Sequence, residues 1–426
     1  MNEKILHIVD GTRLPLAKAG GRLSKLSAGD LGTAVVKGLL ARSGIDPSII
    51  DEVIMGCVCQ PAEESNLARV ISLRSGIPQS VPARTVHRNC ASGFEAITQA
   101  AEKMAAGRGE IFLVGGVESM SQVPLLFPRT ASSKFARLQK ARSIGSRISS
   151  LCNFRPRDFS PVPALLKGLT DPTCNLGMGQ TAEILAREFS ISRERQDRFA
   201  LRSHEHALSG KDRTKTEIIP AYDHVQHAMQ EDDGPRPDSS LEKLGRLRPI
   251  FDRSRGSVTA GNSSQVTDGA VALLVASEEA CKQHHLNSIG RLIDWTYSGC
   301  EPQRMGLGPA YALARGRAQG APELDEVDII ELNEAFAAQA LAVMDACKSE
   351  KFCHEKLGLS KVLGEMNEEI VNVNGGSIAL GHPVGATGAR LALTALHELE
   401  KRNQKKALVT LCVGGGQGAA LWLERN

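Results

Sequence analysis

Aromatic side chains make up only 4% of this 426-residue chain, too few for the stacking platforms that hold single-stranded nucleic acid. A formal net charge of +3 is also too small for a surface that tracks phosphates, so no nucleic-acid partner is expected. Uninterrupted apolar runs are short as well. None approaches the roughly eighteen residues of a membrane-spanning helix, and Met1 to Val9 lacks the apolar centre of a secretion signal. The ten cysteines follow no regular spacing, which favours free thiols in a reducing compartment over a disulfide framework. A cytoplasmic protein without a metal site is the expectation. What is abundant is glycine, 41 residues, among segments rich in Ala, Val and Leu, and this composition points to tightly packed α/β layers. The length allows two or three subdomains.

Ile5 to Asp10 reads as a strand, Gly11-Thr12-Arg13 as a turn, and Leu31 to Leu40 as a helix that ends near Gly44. Ile49 to Cys59 has the character of a buried strand, Asn66 to Gly76 of a helix, and Pro82 to Val86 of extended chain. Ile111 to Gly116 is a continuous apolar run, typical of a strand covered on both faces. This alternation predicts βαβ units. It breaks near Ser121 and resumes near Thr259, so the intervening residues read as an inserted loop domain. The first part of the insert is basic: Arg129, Lys134, Arg137, Lys140, Arg142, Arg147, Arg155, Arg157 and Lys167 are opposed only by Asp158, with Phe135, Leu138, Ile144, Ile148 and Leu151 interleaved. Such a segment suits peripheral contact with a membrane, a protein partner or an anionic ligand. Asp232 to Ser240 reads as an exposed connection, and Ala270 to Ala276 as the strand that completes the first half. Further on, Thr387 to Lys401 is a helix after Gly385 that leads into Ala407 to Gly416. The order repeats that of Cys90, its helix and Ile111 to Gly116, which suggests a duplicated fold. The expected division is 1–120 with 252–284, an insert over 121–251, and 285–426.

The chemistry centres on His87-Arg88-Asn89-Cys90-Ala91-Ser92-Gly93-Phe94. Apolar residues at Phe94, Ile97, Ala101 and Met104 have helical spacing, so Cys90 stands at a strand-to-helix elbow. Free N–H groups and the positive end of the helix dipole there favour a thiolate. A cysteine in an Ala/Gly-rich segment also fits a small buried hydrophobe, and the octapeptide alone leaves both readings open. Three other stretches supply groups that complete a site: Asn333-Glu334-Ala335-Phe336, Gly381-His382-Pro383-Val384-Gly385-Ala386-Thr387-Gly388, and Cys412-Val413-Gly414-Gly415-Gly416. Glycines around His382 permit close backbone approach to a ligand.

These motifs, in this order, resemble the thiolase family over essentially the whole chain. The resemblance implies an α/β fold of two duplicated βαβαβαββ halves in a five-layer α/β/α/β/α arrangement, with an inserted loop domain over the coenzyme A site. It implies Cys90 as nucleophile, His382 as its base, Cys412 as the second acid/base, a water on Asn333, and an oxyanion site formed by the N–H groups of Cys90 and Gly414. Coenzyme A would enter as co-substrate, with no permanently bound cofactor, against Ser264, Ala260 and Met178. The implied reaction is thiolytic cleavage of a 3-oxoacyl-CoA to acetyl-CoA and an acyl-CoA two carbons shorter, through an acyl-Cys90 and with ping-pong kinetics.

The run Leu176-Gly177-Met178-Gly179-Gln180-Thr181-Ala182-Glu183 and the segment Arg155 to Pro163 resemble thiolase subunits of fatty-acid oxidation complexes. Short-chain members usually have His where Gly177 stands, so medium or long acyl chains are expected. Asn333 departs from the long-chain complex pattern, in which His is frequent. A homodimer is implied, and within a complex a heterotetramer with an enoyl-CoA hydratase/3-hydroxyacyl-CoA dehydrogenase subunit. The competing readings are an acetoacetyl-CoA thiolase working in condensation and, from another class, a non-catalytic acyl-CoA or lipid-binding scaffold. A decarboxylating ketoacyl synthase would need a second His in place of Asn333 or Cys412.

Overall fold

In the computed structural model, which describes residues 5–426, the chain begins with strand β1 (Leu6–Arg13). Gly11, Thr12 and Arg13 thus belong to a strand and not to a turn, and they pair with Leu273, Ala272 and Val271. The strand continues because its charge is neutralised inside: Arg13 is buried against Glu217 and Asp232 at 3.0 and 2.7 Å. The same contact anchors the start of the Asp232 to Ser240 connection, whose Arg236, Pro237 and Asp238 are exposed. Asp232 is buried on Arg13, and Asp233 accepts the Lys18 N–H at 2.8 Å.

The first half runs β1, α1 (Ala28–Ser43), β2 (Glu52–Gly56), α2 (Leu67–Arg74), β3 (Ala83–Val86), α3 (Ser92–Ala105) and β4 (Ile111–Glu118). Helix α1 starts at a capping box of Ser27 and Asp30 and stops at Gly44, whose φ of 64° is left-handed. The insert follows, with α4 (Arg129–Lys140), α5 (Ile144–Cys152), α6 (Met178–Glu188) and α7 (Arg193–Ser209) as its main helices, before β5 (Thr267–Ser277) returns to the sheet. The second half runs β6 (Gly290–Gly299), α8 (Gly308–Gln319), β7 (Ile329–Leu332), α9 (Ala337–Lys348), α10 (Thr387–Arg402), β8 (Lys406–Val413) and β9 (Gln417–Glu424). The sheet order is β7-β8-β9-β6-β1-β5-β4-β2-β3. Each half therefore reads βαβαβαββ, except that the third strand of the second half is reduced to one bridge, Val371 with Ile330.

Strand alternation generates the layers. Val53 and Met55 of β2 face outward to Leu31, Val35 and Ile71 of α1 and α2, while Ile54 faces inward to Phe94 and Ile97 of α3. In the other half Leu408 faces Leu341 and Val343 of α9, and Val409 faces Leu391 and Leu396 of α10. Helices α3 and α10 thus form a central layer between two sheet halves. Their N-terminal turns meet through glycine: a Cβ on Gly93 would lie 2.5 Å from the Ala389 nitrogen, and one on Gly388 would lie 2.6 Å from the Phe94 nitrogen.

Helices α4 and α5 present much apolar surface to solvent, with Ile144 79% and Ile148 57% exposed. Phe135, Phe154 and Phe159 pack together at centroid distances of 4.9 to 6.3 Å. Asp158 anchors this part, accepting from Lys134 at 2.6 Å and the Arg155 N–H at 2.7 Å, which hold its carboxyl down at about 2. Among the described residues no helix is long and apolar enough to cross a membrane.

Candidate active site

Asn89 takes a left-handed φ of 44°, which turns the chain sharply between β3 and α3 and sets Cys90 at the elbow. The turn is closed locally, since the Ser92 hydroxyl donates to Asn89 O at 2.7 Å and accepts the Arg88 N–H at 3.0 Å. Across the site the Asn89 amide donates to Gly414 O at 2.6 Å. That bond ties the Cys90 elbow to the glycine turn that follows β8. The backbone N–H groups of Gly414 and of Cys90 itself favour negative charge on the Cys90 sulfur.

Burial nevertheless dominates the charge of that sulfur and raises its pKa above the ordinary thiol value, with the two N–H groups acting against the rise. The expected resting thiolate is thereby corrected: desolvation outweighs the helix end. His382 is displaced the other way, down to about 4, by burial first and by the Arg390 charge second. Neutral thiol and neutral imidazole are the resting pair.

The tautomer of His382 follows from its neighbour. The Thr387 hydroxyl donates to Pro383 O at 3.0 Å, so at 2.7 Å from His382 Nδ1 it is free only to accept. Nδ1 therefore carries the proton, and the buried Nε2, which has no protein partner, keeps its lone pair. Cys412 is 1% exposed on β8, and burial together with the neighbouring Cys90 raises its thiol well above the usual range. It is a proton carrier that stays loaded at neutral pH.

Cys90, His382, Cys412, Gly414, Met178 and Ser264 all line one cavity of about 410 Å³. Asn333 stands behind its wall, fully buried. Its Oδ1 accepts from the Ser377 hydroxyl at 2.6 Å, and its Nδ2 has no protein partner, an orientation that leaves the amide NH2 to donate to a water. Ala260 is exposed and lies off the cavity wall, whereas Ser264 is held there by its N–H to Ala335 O at 3.0 Å. Glu183 of α6 fixes the preceding loop, accepting the Ser257 and Val258 N–H groups at 3.0 and 2.9 Å. At Gly177 a Cβ would meet nothing closer than the Gln180 side chain at 3.6 Å, so the position is open.

Several contributors were not singled out in the sequence. Glu118 is fully buried and accepts the N–H groups of Cys59, Val58 and Gly385 at 2.7, 3.1 and 2.9 Å, clamping the loop after β2 to the loop that carries His382. A carboxylate closing an otherwise apolar strand was the available signal. Glu334 does similar work, accepting from Ser203 of α7 at 2.6 Å and from Asn372 at 2.7 Å. Among the described residues no cluster of His, Cys, Asp and Glu suits a metal ion.

Residues 6–279 match the family profile described as Thiolase, N-terminal domain, and residues 286–425 match Thiolase, C-terminal domain. A 3-ketoacyl-CoA thiolase of Pectobacterium carotovorum is 40% identical over 424 residues, 98% of this chain and 95% of that protein. One of Yersinia pestis is 41% identical over 425 residues, covering 98% and 96%. Among solved structures, human mitochondrial 3-ketoacyl-CoA thiolase in complex with CoA superimposes with a TM-score of 0.84 at 35% identity, covering 99% of this chain and 98% of that one. Bacillus anthracis acetyl-CoA acetyltransferase gives a TM-score of 0.85 at 34% identity, covering 100% and 99%.

Proposed function

The chain belongs to the thiolase family, and on that premise we propose that it cleaves 3-oxoacyl-CoA with CoA, yielding acetyl-CoA and an acyl-CoA two carbons shorter. The observation that carries this reading is the convergence on one cavity of a thiol at an elbow, an imidazole with a free Nε2 lone pair and a second, protonated thiol.

His382 Nε2 takes the Cys90 proton as the sulfur attacks the 3-keto carbon, and the N–H groups of Cys90 and Gly414 receive the developing oxyanion. Neutral partners suit this step, since no ion pair has to be dismantled in a dry site before substrate arrives. The bond between C2 and C3 then breaks, and its electrons pass into a thioester enolate. His382 Nε2–H and a water on Asn333 Nδ2 hold the enolate oxygen while Cys412 protonates its carbon, which releases acetyl-CoA. The Cys412 thiolate next deprotonates incoming CoA. The CoA sulfur attacks acyl-Cys90, and Cys90 leaves with its proton restored by His382. Ping-pong kinetics follow.

Medium or long acyl chains are favoured by the apolar walls of the cavity around Leu165 and Leu169. CoA-dependent cleavage of substrates from four to sixteen carbons, with the purified protein alone, tests this. Activity that rises with length supports it, and activity confined to four carbons identifies an acetoacetyl-CoA thiolase suited to condensation. The exposed apolar and basic face of α4 and α5 supports peripheral contact with a hydratase/dehydrogenase subunit or a membrane. A homodimer in the cytoplasm completes the reading.

A further inference from the structure

A second cavity, of about 630 Å³, lies back to back with the catalytic one, and the same three chain segments separate them. Val58 and Cys59 line both. Met120 and Leu165 line the catalytic side, while their chain neighbours Ser119 and Ala164 line the other. We propose that the second cavity receives the distal methylenes of a long acyl chain, which pass from the catalytic cavity between Cys59 and the Ala164–Leu165 segment. The inference rests on the 3-oxoacyl-CoA reading and makes Cys59 and Ala164 determinants of chain length.

Three observations fit an apolar occupant. The passage is flanked by small side chains, a thiol and a methyl. Several polar groups on the far wall are held within the protein: Glu64 accepts from Ser27 and Arg74 at 2.9 and 2.8 Å and from the Gly29 N–H at 2.8 Å, the Ser119 hydroxyl donates to Leu26 O at 2.9 Å, and the Gln122 amide donates to Ser24 O, while Gln60 and Glu63 are exposed to solvent. Between them the wall is made of Pro61, Ala62, Val123, Pro124 and Ala164. One side of the passage is also fixed, because Glu118 accepts the Val58 and Cys59 N–H groups. A passage with a fixed side gives a sharp length preference.

The test measures calorimetric binding of saturated acyl-CoA esters of eight, twelve and sixteen carbons to the full chain carrying Cys90→Ala, which prevents acyl transfer. Affinity is expected to rise about tenfold or more from eight to sixteen carbons as methylenes leave water. Adding Ala164→Phe, or independently Val123→Phe should the first fold poorly, is expected to reduce that rise to about twofold or less. No rise in the parent, or a full rise in a folded variant of either kind, overturns the proposal. Failure of the thiolase reading shows separately, as absence of binding by the eight-carbon ester and by CoA itself.

Discussion

Thr387 and His382 stand 2.7 Å apart, Oγ1 to Nδ1, and because the Thr387 hydroxyl donates elsewhere, the pair fixes which nitrogen of the imidazole is basic. Thr387→Val removes the acceptor and leaves a buried N–H unpaired. A loss of about 1–3 kcal/mol is expected, or roughly a five- to 150-fold fall in the rate of acyl transfer to Cys90. Thr387→Ser keeps the acceptor and is expected to retain most of the rate. Stopped-flow acylation of both variants checks this.

The downward displacement of His382, to about 4, sets the acid limb of the reaction. The imidazole accepts the Cys90 proton only while neutral, so acylation is lost as pH falls through the folded value and not through the ordinary 6.5. A plateau from about pH 6 upward with a fall near pH 4 to 5 is expected in a kcat/KM profile. A limb centred at 6.5 would contradict the burial argument.

Cys412 and Cys90 separate the two halves of the reaction. Cys90→Ala is expected to abolish acyl-enzyme formation. Cys412→Ala is expected to allow acyl transfer from an acyl-CoA to Cys90, visible by mass spectrometry, while carbon–carbon cleavage falls by about a hundredfold or more. Retained cleavage in Cys412→Ala would remove the acid assigned here.

Arg390 and Glu331 form an ion pair at 3.0 Å with both side chains buried, and burial pushes the Glu331 carboxyl up to about 8. Arg390→Met strips the buried Glu331 of its ion-pair partner and is expected to cost roughly 3–5 kcal/mol in urea unfolding at pH 8. A raised pKa means that the folded state binds the extra proton. Stability is therefore expected to rise as pH falls from about 9 toward 5, where the folded carboxyl holds a proton that the unfolded chain, with its ordinary value of 4.5, does not yet bind.

Much of this architecture was legible because apolar runs and glycine breaks report strands and their ends directly, as at Ile111 and Ala407. The nucleophile elbow was legible for the same reason. What sequence spacing could not supply was charge balance at a distance. Arg13 looked like a turn residue because its partners, Glu217 and Asp232, lie about two hundred residues away. The protonation of Cys90 was misjudged on similar grounds: the N–H groups are local and visible, whereas the burial that overrides them is assembled from both halves of the chain. Glu118 and Ser377 act only through groups that folding brings to them.

The two elbows that meet through Gly93 and Gly388 stand at equivalent places in the two repeats, and where the first carries Cys90 the second carries Gly385. Related elbows set face to face enclose one crevice between them, so doubling the chain did not double the reaction centre. It made a single one, with labour divided between copies: one repeat contributes the sulfur, and the other contributes the imidazole and the second thiol. Neither copy alone holds a complete set, which ties the chemistry to the covalent joining of the two.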